Sequence, residues 1–357
     1  MTNIIMKTIP RKCFWFCLAF VVFESSAQQS TWSPDSVWQT SRNSPMYRYH
    51  DILRYHDPVM YLAFPIITPI VDRKLPLAEG EGKNGFWLEG QFGYRFVISQ
   101  GKYYSHPFVQ RLRFTFDVSL MPRMTRDESS PLLPFNNKFG FGLDFLLSNL
   151  KQLTEEKANL LWTTVQLHHY SNGQSDSFFI DDPVKRNNYL GGDFSTNYAR
   201  IYLNAAKDHR EKGIISASIG YQKDFNISGA LARSTELDSY YGDDRLLFNF
   251  QLVKKSKLVS VHYKNRAKPG VDSIRLLKRR QLALRSEFEY LTGGLAKFEG
   301  SNKRRLSWHN YLTYMPSVTN EVGFMIHTFI GRDYLNIRFD DIVFIGEVGI
   351  CVKFNAR

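Results

Sequence analysis

The chain has 357 residues, 43% of them hydrophobic, 22% charged and 15% aromatic: enough for one large domain or two ordinary ones, and too apolar for a disordered or fibrous chain. Past residue 27 the nearest thing to a spanning helix is Tyr61–Val71, which Pro65 and Pro69 interrupt; it falls short of the roughly 18–20 apolar residues required, which excludes a helical membrane protein. The formal net charge is +12, and in an exported chain such a balance suits anionic lipid head groups better than nucleic acid.

Residues 1–27 read as a secretory signal peptide: Lys7, Arg11 and Lys12 form a basic start, Cys13–Phe23 an apolar stretch, and Ser25-Ser26-Ala27 a small-residue cleavage site. Two cysteines leave with it, so Cys351 remains alone and no intramolecular disulfide staples the mature chain. Residues 28–84 show no sustained period of 2 or 3.6 and read as an irregular N-terminal segment. From Gly85 to the end at residue 357 the texture changes to alternating segments bounded by Gly, Asn, Asp, Ser and Lys. In Gln110–Leu120, for example, Leu112, Phe114, Phe116, Val118 and Leu120 alternate with Arg111, Arg113, Thr115, Asp117 and Ser119.

Twelve such segments fall near 85–98, 108–121, 138–148, 159–171, 197–207, 212–223, 244–253, 257–266, 279–292, 303–315, 319–330 and 342–354. Many reach the roughly 9–11 residues of a tilted membrane strand. Short connections such as Asp208–Glu211 and Lys254–Ser256 alternate with long ones such as Met121–Asn137 and Gly173–Thr196. Export, strand length, absent disulfides, the aromatic surplus and charged inward-type positions (Arg111, Arg113, Asp117, Arg285, Glu287) together predict an all-β, twelve-stranded antiparallel transmembrane β-barrel.

The segment LLWTTVQLHHYSNGQSD at 160–176 places His169 and Ser171 two residues apart, hence on one face of a strand. A serine hydroxyl is a poor nucleophile until a base removes its proton, and imidazole is the usual base. Alone, H-x-S is common surface decoration. Here both residues share the parity of Thr163, Val165 and Leu167, so on a membrane barrel they face lipid, where polar groups cost free energy and their presence argues for use. Asn197 shares the outward parity of Ile201 and Leu203 on the next strand and is the candidate to orient the imidazole without bringing a permanent charge to an apolar boundary. Asp181, Asp182, Asn187 and Asn188 in the intervening loop compete for that role, and Asn197 reads equally as a strand-end residue. Adjacent strand residues face opposite ways, so His168 and His169 do not share a metal.

HHYSNGQSD at 168–176, Ser-Thr-Asn-Tyr-Ala-Arg-Ile-Tyr at 195–202 and DESSP at 127–131 resemble the outer membrane phospholipase A family, with a looser echo in GRDYLNIRF at 331–339. The resemblance spans roughly residues 110–205. It implies an outer-membrane barrel that hydrolyses acyl esters of phospholipids with its active site on the lipid-facing exterior, active as a calcium-bound homodimer. It implies Ser171 as nucleophile, His169 as base, the Gly173 N–H near the oxyanion, and Ser129, the Gln174 carbonyl and Asp176 as Ca2+ ligands. Two departures stand out: Ala199 occupies the family's orienting Asn position, one same-face step from Asn197, and Phe179 occupies that of a loop serine ligand. His169-Tyr170-Ser171-Asn172 also resembles the lipid A 3-O-deacylases, smaller barrels that use His, Ser and an acid; with an acid as orienting group, Asp181 or Asp182 comes first. Beside a lipid-ester hydrolase, a non-enzymatic outer-membrane barrel and a secreted soluble β-protein remain open readings.

Overall fold

The computed structural model describes residues 45–57, 60–72, 85–100, 106–126, 132–180, 186–209, 211–229, 231–237, 240–256, 259–263, 274–278, 280–293, 305–316 and 322–352. They belong to one compact unit, Pro45–Arg357. The signal sequence read at 1–27 lies outside the described residues.

Twelve long strands form a closed antiparallel barrel. They are β1 (Met60–Ile67), β2 (Phe86–Gln100), β3 (Leu112–Met121), β4 (Asn136–Leu146), β5 (Lys157–Ser171), β6 (Ser195–His209), β7 (Gly213–Phe225), β8 (Asp244–Lys255), β9 (Gln281–Leu291), β10 (Leu306–Met315), β11 (Val322–Arg332) and β12 (Ile342–Val352). Each pairs with its sequence neighbours, and β1 closes the ring by pairing with β12 on one side and β2 on the other. Two short pieces, Ile70–Asp72 and Arg123–Thr125, extend the sheet at the end that carries the long loops.

The two-residue period sorts side chains between two surroundings. On β5 Leu161, Val165 and Leu167 stand exposed on the outer wall while Trp162, Thr164, Gln166 and His168 are buried inward. On β7 Ile215, Ile219 and Tyr221 are outward, with Ser216, Ser218 and Gln222 inward. Part of the aromatic surplus, including Phe96, Phe141, Phe248 and Phe324, also stands on the outer wall.

Inside, charged residues pair across strands around a cavity of about 430 Å³. Arg95 grips Asp117 with two bonds of 2.6 and 2.8 Å, and Arg113 bonds Asp144 at 2.8 Å. Arg123 bridges Glu89 and Asp333 at 2.7 Å each, and Arg245 holds Asp224 at 2.7 Å and Glu289 at 2.8 Å. Paired this way, charges avoid the desolvation cost that an isolated ion would carry. Arg111, expected inward, instead sits in the turn before β3 and donates to the carbonyls of Leu146, Leu147 and Ser148.

A helix, α1 (Pro45–Leu53), lies at the short-turn end. Tyr49, Ile52 and Leu53 pack with Leu146, Leu160, Trp162 and Ile214, Arg48 bonds Asp208 at 2.7 Å and the Glu155 and Glu156 carbonyls, and Asp57 reaches Arg95 and Arg113 at 3.1 and 3.4 Å. At the opposite end Phe178, Phe179, Tyr189, Phe194, Ile337 and Phe339 form a second apolar cluster under the loops.

Two strand assignments differ from the sequence reading. The segment at 257–266 is not a barrel strand; Val259–Tyr263 pairs with Ile274–Lys278 in a separate hairpin, so the link from β8 to β9 is long. Met60–Ile67, within the stretch read as irregular, supplies the missing strand.

The outer wall has a direct test. Ile219 is 51% exposed; if that face meets lipid, Ile219→Arg lowers stability in bilayer refolding by about 2–4 kcal/mol. A face in water would shift by only about 0.5 kcal/mol, and that result would remove the barrel from the membrane.

Candidate functional site

The loop-end halves of β4, β5 and β6 bring the predicted residues together. Their register sets His169 opposite Phe139 on one side and Asn197 on the other, and Ser171 opposite Asn137 and Ser195. Directly opposed side chains on one face lie close enough to interact. His169 Nδ1 and Asn197 Oδ1 are 3.0 Å apart. Since an amide oxygen only accepts, this bond puts the imidazole proton on Nδ1 and leaves Nε2 with a free lone pair.

Asn197 is itself fixed. Its Nδ2 donates to the Leu231 carbonyl at 2.7 Å, which settles which end of the amide faces the imidazole. The segment carrying Leu231 is tied to β6: Ser195 Oγ donates to the Ala232 carbonyl at 2.7 Å, Ser195 N to Ser234 Oγ at 2.9 Å, and Ser234 Oγ to Asp193 at 2.6 Å. The Phe139 ring packs on His169 at 5.0 Å. These neighbours leave His169 8% and Asn197 2% exposed although both have outward parity.

Ser171 ends β5 on the same outer face, half-buried. The imidazole's observed bond is to Asn197, not to Ser171; the two share a face one strand step of about 6–7 Å apart. Hydrogen bonds between nucleophile and base often tighten only with substrate bound.

After Ser171 the chain turns on Asn172, which sequence reasoning did not single out. Its Oδ1 accepts from Gln174 N at 3.2 Å and Phe194 N at 3.0 Å, and its Nδ2 donates to the Gly192 carbonyl at 2.7 Å. Gly173 follows with φ of +71°, a left-handed conformation that suits glycine. The Asn-Gly pair was a readable turn signal. The Leu231 carbonyl had none, being main chain and distant in sequence.

His168 faces the lumen, as parity requires: its Nδ1 meets Tyr198 Oη at 3.0 Å and its Nε2 lies 3.2 Å from Asp117. A Cβ at Gly140 would stand 2.2 Å from its ring, so the glycine makes room for it. Among the competing orienters, Asn187 donates to the Ile337 carbonyl and to Asp340, and Asn188 to the Ser177 carbonyl. Asp181 and Asp182 lie outside the described residues.

The same holds for Ser129 among the cation ligands that the resemblance implies. Gln174 and Asp176 are exposed beyond the turn, and the Asp176 carboxylate has no ion pair among the described residues. Such oxygen donors suit a hard cation chemically, although two are few against the roughly 6–8 that calcium takes. Phe179 packs in the loop-end core against Phe178 and Tyr240. Among the described residues no three His, Cys, Asp or Glu side chains cluster closely enough to hold a metal.

Asn172→Ala removes an acceptor shared by two main-chain N–H groups, and the expected loss is about 1–3 kcal/mol, read as a lower urea midpoint in micelles. An unchanged midpoint would show that the turn does not depend on this side chain.

No family model and no curated protein matches the chain. Among solved structures it is similar to an active-site mutant of outer membrane phospholipase A from Escherichia coli, with 14% identity, a TM-score of 0.45 and coverage of 87% of this chain and 98% of that one. A second Escherichia coli structure of that phospholipase is similar at 12% identity and a TM-score of 0.44, covering 82% and 92%. The Salmonella typhi outer membrane phospholipase dimer with bound calcium is similar at 14% identity and a TM-score of 0.43, covering 82% and 90%.

Proposed function

We propose that this chain is an outer-membrane serine hydrolase that cleaves acyl ester bonds of phospholipids at the outer wall of its barrel. The observation carrying the reading is the His169–Asn197 bond of 3.0 Å on the face that also bears Ser171. With Nδ1–H donated to Asn197, His169 Nε2 is the base. It takes the Ser171 proton as Oγ attacks the acyl carbonyl of a lipid lying against the wall, then returns it to the departing glycerol oxygen. The acyl-serine is hydrolysed by water activated at the same nitrogen. The Gly173 N–H supports the oxyanion in both steps. Leu167 and Ile201, exposed beside the site, give the acyl chain an apolar wall and keep the lipid in the bilayer during attack.

Calcium is assigned to the Gln174 carbonyl and Asp176, with Ser129, following the resemblance; when bound it supplies positive charge beside the oxyanion. The active form on this reading is a homodimer, which the resemblance alone suggests.

Ser171→Ala is expected to abolish fatty-acid release from mixed micelles containing calcium, and His169→Ala to lower it by about 10²–10⁴-fold. Release undiminished in Ser171→Ala sinks the serine mechanism. Asn197→Asp is expected to lose activity although it keeps an acceptor, because a carboxylate would face the Leu231 carbonyl; activity at the parent level would refute the assigned amide orientation.

Chelation is expected to suppress release reversibly, and Asp176→Asn to raise the calcium concentration for half-maximal rate. A rate indifferent to both would remove calcium from the mechanism.

A further inference from the structure

The wall of the lumenal cavity carries two cations that lipid hydrolysis does not use and that the carboxylates around them do not take up. Asp117, Asp144, Glu289 and Asp333 belong to the arginine pairs of the inner wall, and Glu287 pairs with Arg285. Lys138 on β4 and Arg200 on β6 line the same cavity. Neither has a carboxylate within ion-pair distance among the described residues.

The register sets Lys138 opposite Tyr170 on β5, and Arg200 follows Tyr198 on the inner face of β6, where Tyr198 stands opposite His168. The two cations therefore flank β5 diagonally, with His168 between them. Each lies on a ring: Lys138 Nζ is 5.4 Å from the centre of Tyr170, and the Arg200 guanidinium is 4.5 Å from that of Tyr198. Arg200 Nε donates to Gln222 Oε1. Its two Nη groups and the Lys138 ammonium have no hydrogen-bond acceptor among the described residues. Of the neighbouring charges, that of Arg200 acts most strongly on Lys138, and it repels; Glu287, Glu289 and Asp117 attract it from beyond ion-pair distance.

Two like charges set into one wall, with their donors turned to a cavity, cost free energy unless an anion joins them. We propose that Lys138 and Arg200 hold a soluble dianion of the phosphate class, inorganic phosphate or a phosphate monoester, inside the barrel. The charges match: a phosphate monoester carries about −1.5 to −2 near pH 7, whereas a monocarboxylate would neutralise only one of the two cations. The donors match as well. With Nε engaged by Gln222, the edge formed by the two Nη groups is free to take two phosphate oxygens in parallel, and the lysine adds a point charge on its flexible stem. The sheet stands between this site and the outer wall that bears Ser171, so the ligand comes from water and not from a lipid head group.

The test is titration of inorganic phosphate by calorimetry into the full chain, refolded in detergent without phosphate or calcium at fixed ionic strength, with acetate as the monoanion control. One phosphate per chain is expected, together with a raised thermal midpoint, and acetate binds more weakly. Lys138→Met and Arg200→Gln each weaken phosphate binding by about 10–100-fold. Arg200→Lys weakens it although the charge is kept, while Lys223→Gln on the outer wall leaves it unchanged. Glycerol 3-phosphate separates the two forms of the ligand: tighter binding than phosphate assigns a monoester, equal or weaker binding the free ion. No saturable phosphate on the parent chain, equal affinity for acetate, or affinity unchanged in both Lys138→Met and Arg200→Gln overturns the site. Should the variants fail to fold, the phosphate and acetate titrations of the parent decide it.

Discussion

Arginine–carboxylate pairing inside the ring is what allows a two-residue alternation to close on itself. With apolar residues turned outward, every inward position must take a side chain that tolerates neighbours from across the lumen, around a cavity of about 430 Å³. Arg95, Arg113, Arg123 and Arg245 each meet a carboxylate on a neighbouring strand, so side chains and sheet register fix one another. Slipping one strand by one residue would turn the ions to the outer wall and the leucines to the inside.

The same network anchors the ends. Asp57, just past α1, shares Arg95 and Arg113 with the strand carboxylates, so the N-terminal helix is tied into the pairing that holds the wall. At the other end Arg123 links β2 to Asp333 in the turn between β11 and β12, while Asn136 donates to the Tyr334 carbonyl and accepts from Asn336 N. That turn buries Leu335 and Ile337 against Phe178 and Phe194 of the loop after β5. The candidate site thus stands at the rim of a cluster that is itself pinned from inside the barrel.

Much of this was legible in the sequence, and the exceptions have physical reasons. Alternation located eleven of the barrel strands and the outward parity of His169, Ser171 and Asn197, because the period is local. It also marked 257–266, correctly as strand and wrongly as barrel, since a period does not say which sheet a strand joins. β1 was hidden because its inward positions are Tyr61, Ala63 and Pro65, so polar–apolar contrast is lost. Pro65 is tolerated because pairing with β2 covers Tyr61–Ala63 and a register shift with β12 begins at Pro65. The anchors of Asn197 and the lumenal hydrogen-bond chain from His309 through His327 to Glu347 depend on contacts between distant segments, which no spacing rule reports.

The surroundings of Asn197 explain why an amide stands beside the imidazole. One end must accept from His169 Nδ1 and the other must donate to the Leu231 carbonyl at 2.7 Å, and only an amide offers both at that length. An aspartate would set a buried carboxylate oxygen against the Leu231 carbonyl oxygen, two acceptors with no proton between them. The choice of residue is therefore fixed by a main-chain carbonyl more than thirty positions away in the chain, while the imidazole sees the same acceptor either way. Polar groups set among the apolar side chains of an outer wall must complete their hydrogen bonds within the protein, and the chain from His169 through Asn197 to Leu231 does so.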